Sequence, residues 1–127
     1  MAKILFIDDD ADFIDAAKTL LEIKGHKIIS ASNGEHGFVK AKSEKPDLIF
    51  LDVMMAHDTE GIETARKLRE DPATKTIPVT IVTGIKKAKT LSFRLEPDQD
   101  WLPVRSVLEK PVKPEDLLNQ IKRTLGE

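Results

Sequence analysis

Cysteine is absent from the chain. That excludes disulfides, thiol nucleophiles and thiolate metal sites, and it suits a reducing compartment. A strong charge of one sign is lacking too: the formal net charge is −2, and no basic run interleaved with aromatics occurs. Nucleic acid and an anionic membrane are therefore not expected as direct partners. The start, Met1-Ala2-Lys3 followed by Ile4-Leu5-Phe6-Ile7 and then acids, is too short for a signal peptide or a membrane span. The expected location is cytoplasmic. No repeat, linker or shift of composition divides the 127 residues, a length that gives one domain with a core, taken as 1–127.

What is present is a repeated design. Leu48-Ile49-Phe50-Leu51 is apolar without alternation, as in a strand buried on both faces of a parallel sheet, and Asp52 follows at once. A buried helix segment reads similarly over four residues, but Pro46 just before the run and loop-like residues after Met55 favour a strand. Ile4 to Ile7 repeats the pattern and ends in Asp8-Asp9-Asp10. Between them, Asp12 caps or begins a helix with Phe13, Ala16, Ala17, Leu20 and Leu21 at helical spacing, and Gly25 stops it. Lys27 to Ala31 is a weaker strand and Asn33-Gly34 a turn. A helix then runs to about Ser43, with Gly37 inside it at a cost of about 1 kcal/mol relative to Ala.

Beyond Asp52, Met55 to Glu60 reads as a loop, and Gly61 opens a helix with Ile62, Ala65 and Leu68 on one face. Ile77 to Val82 is a further strand with Thr83-Gly84 at its exit. From Ile85 to Pro103 the pattern degrades into lysines, acids and prolines. The stretch Val104 to Leu108 includes a fifth strand with Lys110-Pro111 at its exit, and Pro114 starts a last helix carrying Leu117, Leu118, Ile121 and Leu125. Five alternations of strand and helix predict a doubly wound five-stranded parallel sheet, α/β in class.

Parallel strands joined by right-handed crossovers present their carboxyl ends on one edge, so Asp8, Asp9, Asp52, Thr83 and Lys110 can converge. Three carboxylates that close repel one another unless a cation neutralises them. Oxygen-only ligands favour a hard ion such as Mg2+. A carboxylate nucleophile, a bound cation, a lysine and a hydroxyl are the parts that phosphoryl transfer needs.

At this point the chain resembles a known family, the CheY-like receiver domain of two-component response regulators, over nearly its whole length. Ile7-Asp8-Asp9-Asp10, Leu51-Asp52-Val53-Met54-Met55, Val82-Thr83-Gly84 and Glu109-Lys110-Pro111 carry the resemblance. It implies a flavodoxin-like (βα)5 fold with Asp52 as phosphoacceptor. Asp8, Asp9, Asp52 and the backbone carbonyl of Met54 would be the Mg2+ ligands, and Thr83 and Lys110 the contacts to the phosphoryl oxygens. The implied donor is a histidine kinase or a histidine phosphotransfer protein. The implied function is a stand-alone response regulator that promotes its own phosphorylation and dephosphorylation, not an enzyme in the ordinary sense. No output domain is expected after Glu127, so the downstream target is a protein reached by contact.

The chain also departs from the pattern. Ala56 stands where the family usually has proline, Gly61 lies one residue late, and Val107 replaces the aromatic switch residue. The stretch from Thr83 to Lys110 is longer than typical. Met54 and Ile85, apolar at the positions that flank the site, imply slow loss of phosphate. These departures leave an alternative, a pseudo-receiver that serves as an interaction module without phosphorylation. An aspartyl-phosphate hydrolase or a nucleotide-binding protein fits less well, because no Gly-rich loop follows the first strand. Of the remaining candidates, Asp10 and Asp12 read as caps, and His26, His36 and His57 as ordinary residues. Trp101 reads as an anchor for the long loop.

Overall fold

The computed structural model describes residues 2–52, 60–84, 106–110 and 112–126. In order they form β1 (Lys3–Ile7), α1 (Ala11–Ile23), β2 (Lys27–Ala31), α2 (Gly34–Glu44), β3 (Leu48–Leu51), α3 (Glu60–Glu70), β4 (Val79–Gly84), β5 (Ser106–Lys110) and α4 (Pro114–Leu125). Every paired strand is parallel, and the order across the sheet is β2-β1-β3-β4-β5. The expected five-stranded parallel sheet is there. The segment 85–103 and Trp101, on which the sequence was least regular, lie outside the described residues, as do Met54, His57 and Pro111.

The unbroken apolar runs have a direct cause. Ile4, Leu5, Phe6 and Ile7, and Leu48, Ile49, Phe50 and Leu51, are all at most 1% exposed, because helices cover both faces of the sheet. One layer joins Ile4, Phe6, Leu48, Phe50 and Val82 to Ile14, Ala17 and Leu21 of α1 and Leu117 and Ile121 of α4. The other joins Leu5, Ile7, Ile49, Leu51, Val79 and Ile81 to Ala41 of α2 and Ile62, Ala65 and Leu68 of α3. Each such side chain taken from water contributes about 1.5–3 kcal/mol before chain entropy is counted.

Several local expectations need correction. The buried stripe of α1 is Ile14, Ala17 and Leu21, with Ala16 exposed. The large Ile14 and Leu21, two turns apart, set the phase; Ala17 falls between them on that face and Ala16 does not. Asp10 rather than Asp12 is the N-cap: its carboxylate accepts from the Phe13 N–H at 3.1 Å, while Asp12 lies in the first turn. Gly25 does end the helix region, at φ +92°, a conformation that costs a glycine little. β4 begins at Val79, not Ile77. Pro78 has no N–H for the ladder, and the Ile77 N–H is spent on the Thr74 carbonyl at 2.9 Å. Among the described residues β5 runs on past Leu108 to Lys110, because its ladder with β4 extends from Thr80↔Ser106 to Gly84↔Lys110.

Candidate functional site

The acids meet where the chain order of the strands reverses, at the carboxyl ends of the neighbours β1 and β3. Their register pairs Ile7 with Leu51, so Asp8 and Asp52 come next on the two strands, side by side. The backbone holds them there. The Asp52 N–H donates to the Ile7 carbonyl at 2.9 Å, and the Asp8 N–H donates to the Ala31 carbonyl of β2 at 3.0 Å. Asp8 and Asp52 are 2% and 3% exposed, while Asp9 is exposed. One carboxylate oxygen from each of the three lies within 4.8 Å of the others.

Two ionised carboxylates at that separation repel by about 3 kcal/mol at an effective dielectric constant near 20. Some of this is offset locally. The Asp10 N–H donates to Asp8 Oδ1 at 2.9 Å, and the cluster sits at the start of α1, whose positive end favours anions. The remainder favours a cation. Three oxygen donors, two buried and one open to solvent, suit a hard divalent ion that keeps part of its water shell. The residues present therefore fit a metal.

The sheet brings the other two candidates to the same edge. Leu51 pairs with Ile81, so Thr83 lies one residue beyond the level of Asp52 on the adjoining strand. Lys110 pairs with Gly84 and ends β5. These are backbone placements. Val107 pairs with Ile81 in the same ladder. Two contributors were not anticipated from the sequence. Ala31 supplies a carbonyl to the Asp8 backbone, and Asp10 supports Asp8 through its own N–H as well as capping α1. An aspartate at position 8 is the one sequence signal for the second, since its side chain commonly accepts from the N–H two residues on. His26, expected to be ordinary, is buried, and its Nδ1 accepts from the Ala2 N–H at 3.1 Å. It lies at the opposite end of β1 from the acids. Among the described residues no helix is long and apolar enough to cross a membrane.

Comparison with known proteins agrees with this geometry. The family model described as response regulator receiver domain matches residues 4–122. Protein PilH of Pseudomonas aeruginosa is 35% identical, with 99% of each chain covered. The regulator PhoP of Bacillus subtilis is 33% identical over 97% of this chain, which spans 48% of that relative's length. Among solved structures, a CheY-like receiver domain protein from Methanospirillum hungatei superposes with a TM-score of 0.80 at 26% identity, covering 99% of this chain and 94% of that one. Chemotaxis protein CheY4 of Vibrio cholerae gives 0.78 at 25% identity, covering 98% and 99%. With its acids at the β1 and β3 exits of a 2-1-3-4-5 sheet and a family match over nearly all its length, this chain belongs to the response regulator receiver domains of two-component signalling.

Proposed function

We propose that the chain is a single receiver domain that takes a phosphoryl group from a phosphohistidine donor, a histidine kinase or phosphotransfer protein, onto Asp52. The observation that carries the reading is the meeting of Asp8, Asp9 and Asp52 within 4.8 Å at the switch point of the sheet. A bond forms between an Asp52 oxygen and phosphorus as the bond from phosphorus to the donor's imidazole nitrogen breaks, the nitrogen keeping the electron pair. The burial of Asp52 strips water from the nucleophile, and its backbone tie to Ile7 fixes its approach. Asp8, Asp9, Asp52 and the Met54 carbonyl would hold Mg2+, which supplies positive charge against the gathered oxygens. The Thr83 hydroxyl and the Lys110 ammonium would meet the phosphoryl oxygens from β4 and β5. The signal passes on by contact with a downstream protein in the cytoplasm.

The test is intact mass after incubation with acetyl phosphate and Mg2+. Wild type should gain one phosphate, and Asp52→Asn should gain none, because the amide cannot attack phosphorus to form an acyl phosphate. A phosphate mapped elsewhere in Asp52→Asn would sink the assignment. An unlabelled wild type that still binds Mg2+ would favour the pseudo-receiver reading.

A further inference from the structure

We propose that Gly37 is a positioning residue for the acid cluster, although it lies on α2 and touches none of the carboxylates. The inference rests on reading Asp8, Asp9 and Asp52 as a Mg2+ site. A Cβ built on Gly37 would fall 2.5 Å from Ile7 Cδ1, 2.6 Å from Cγ1 and 2.8 Å from Cγ2. Real Cβ atoms do not approach that closely, so something would have to shift. Swinging the tip of Ile7 aside does not relieve the contact, since both γ carbons are involved and a β-branched side chain is stiff at χ1. Ile7 is fully buried in one cluster with Leu5, Ala41, Ile49, Leu51 and Ile62, so any new rotamer must displace close-packed neighbours.

Ile7 is also the joint of the site. Asp8 follows it directly in the chain, and its carbonyl receives the Asp52 N–H at 2.9 Å. A displacement of Ile7 therefore moves two of the three carboxylates together. Glycine is a poor choice for the interior of α2 on propensity alone. Its presence is explained by the close approach of α2 to β1, one residue before the acids. Gly37 and Ile7 form a matched pair: the missing side chain of one makes room for the branched side chain of the other.

The experiment compares metal-free wild type, Gly37→Ala, Ile7→Ala and the double variant by amide NMR, then titrates each with Mg2+ alone. In Gly37→Ala the Asp8 and Asp52 amide resonances should shift before any metal is added. Mg2+ affinity should fall roughly tenfold, as it does when supporting groups around metal ligands are disturbed. Ile7→Ala removes Cδ1, Cγ1 and Cγ2, the three atoms the new Cβ would meet, so the double variant should return both readouts to those of Ile7→Ala. A Gly37→Ala protein with lowered thermal stability but unchanged resonances and affinity would overturn the inference, because α2 alone would then absorb the strain. Should Gly37→Ala fail to fold, the double variant carries the test: it must fold and bind Mg2+ like Ile7→Ala, or the pairing is wrong. Wild type that fails to bind Mg2+ would sink the functional reading instead, and the metal-free resonances would still decide whether Gly37 sets the acids.

Discussion

On the face of the sheet covered by α1 and α4, Phe6 stacks on Phe50 with ring centroids 5.0 Å apart, and Phe13 of α1 meets Phe6 edge-on at 6.0 Å. On the face covered by α2 and α3, every member of the buried cluster is aliphatic, and at Gly37 the helix gives up its side chain altogether. The two faces solve one packing problem in opposite ways. Rings occupy the first face, and a missing Cβ lets α2 come close to β1 on the second. The difference matters because the same strands carry the acids at their ends. A helix drawn tight against β1 constrains Ile7, the residue just before Asp8.

The largest test of that contrast is truncation of the stack. Phe50→Ala should cost about 3–5 kcal/mol in urea unfolding, as other buried Phe truncations do. A double-mutant cycle of Phe6→Leu and Phe50→Leu should leave a coupling of about 1 kcal/mol beyond the loss of area, the usual excess of an aromatic pair. A coupling near zero would mean the rings act only as volume, and the faces would differ less than their composition suggests.

A smaller effect lies in a polar link on the ring-filled face. Gln120 of α4 is 5% exposed and Thr80 of β4 is fully buried, and the Gln120 amide donates to the Thr80 hydroxyl at 3.4 Å and to Thr124 at 3.1 Å. Gln120→Leu should cost about 1–2 kcal/mol, because it removes one partner from a buried hydroxyl. The double change Thr80→Val with Gln120→Leu should recover most of that loss. Without recovery, the cost would come from shape rather than hydrogen bonding.

The buried strands and the acid exits were legible because both follow from local rules: unbroken apolar runs for β1 and β3, then carboxylates at their ends. The roles assigned to Asp10, Gly37 and Gln120 were legible only in part. Asp10 was read as a cap, and its support of Asp8 is a backbone N–H donation, which the identity of residue 10 does not encode. Gly37 registered as a propensity cost, whereas its value depends on how near α2 comes to Ile7, a distance set by tertiary packing. Gln120 stood between Leu117 and Ile121 on the inner face of α4, where a helical pattern marks the position but cannot name its partner across the sheet.

The helix caps divide the two faces again, at about 1 kcal/mol each. Asp10 caps α1 and Asn33 caps α2, where its side chain accepts from the His36 N–H at 2.8 Å. Asp10→Ala and Asn33→Ala should lower stability by similar amounts. Only Asp10→Ala should also weaken Mg2+ binding: alanine keeps the N–H that Asp8 accepts, but the lost cap frees the turn that aims it. Equal Mg2+ affinities for the two variants would show that the cap and the acid cluster are independent.

The smallest expected effect belongs to the outer rim of the aliphatic face, where Lys42 of α2 reaches Asp71 after α3 at 3.2 Å and lies over the Phe38 ring at 5.5 Å. The Asp71 carboxyl is held below its ordinary value of 3.8, first by the N–H of Ala73 at 2.8 Å and then by the hydrogen bond and charge of Lys42, with burial opposing. A carboxyl depressed in the folded state stabilises the fold above its unfolded value, and that contribution is lost as pH falls through the folded one. The window therefore lies below pH 3.8. Lys42 is well exposed, so salt and solvent keep the contribution small. Asp71→Asn retains an acceptor for Ala73 but cannot titrate, so it should flatten the acid limb of stability against pH. Lys42→Met keeps the apolar contact with Phe38 and removes only the charge, so it should flatten the limb less. Urea midpoints followed from neutral to acid pH decide the order. A larger effect from Lys42→Met would make the ion pair, not the Ala73 hydrogen bond, the principal cause of the lowered Asp71 carboxyl.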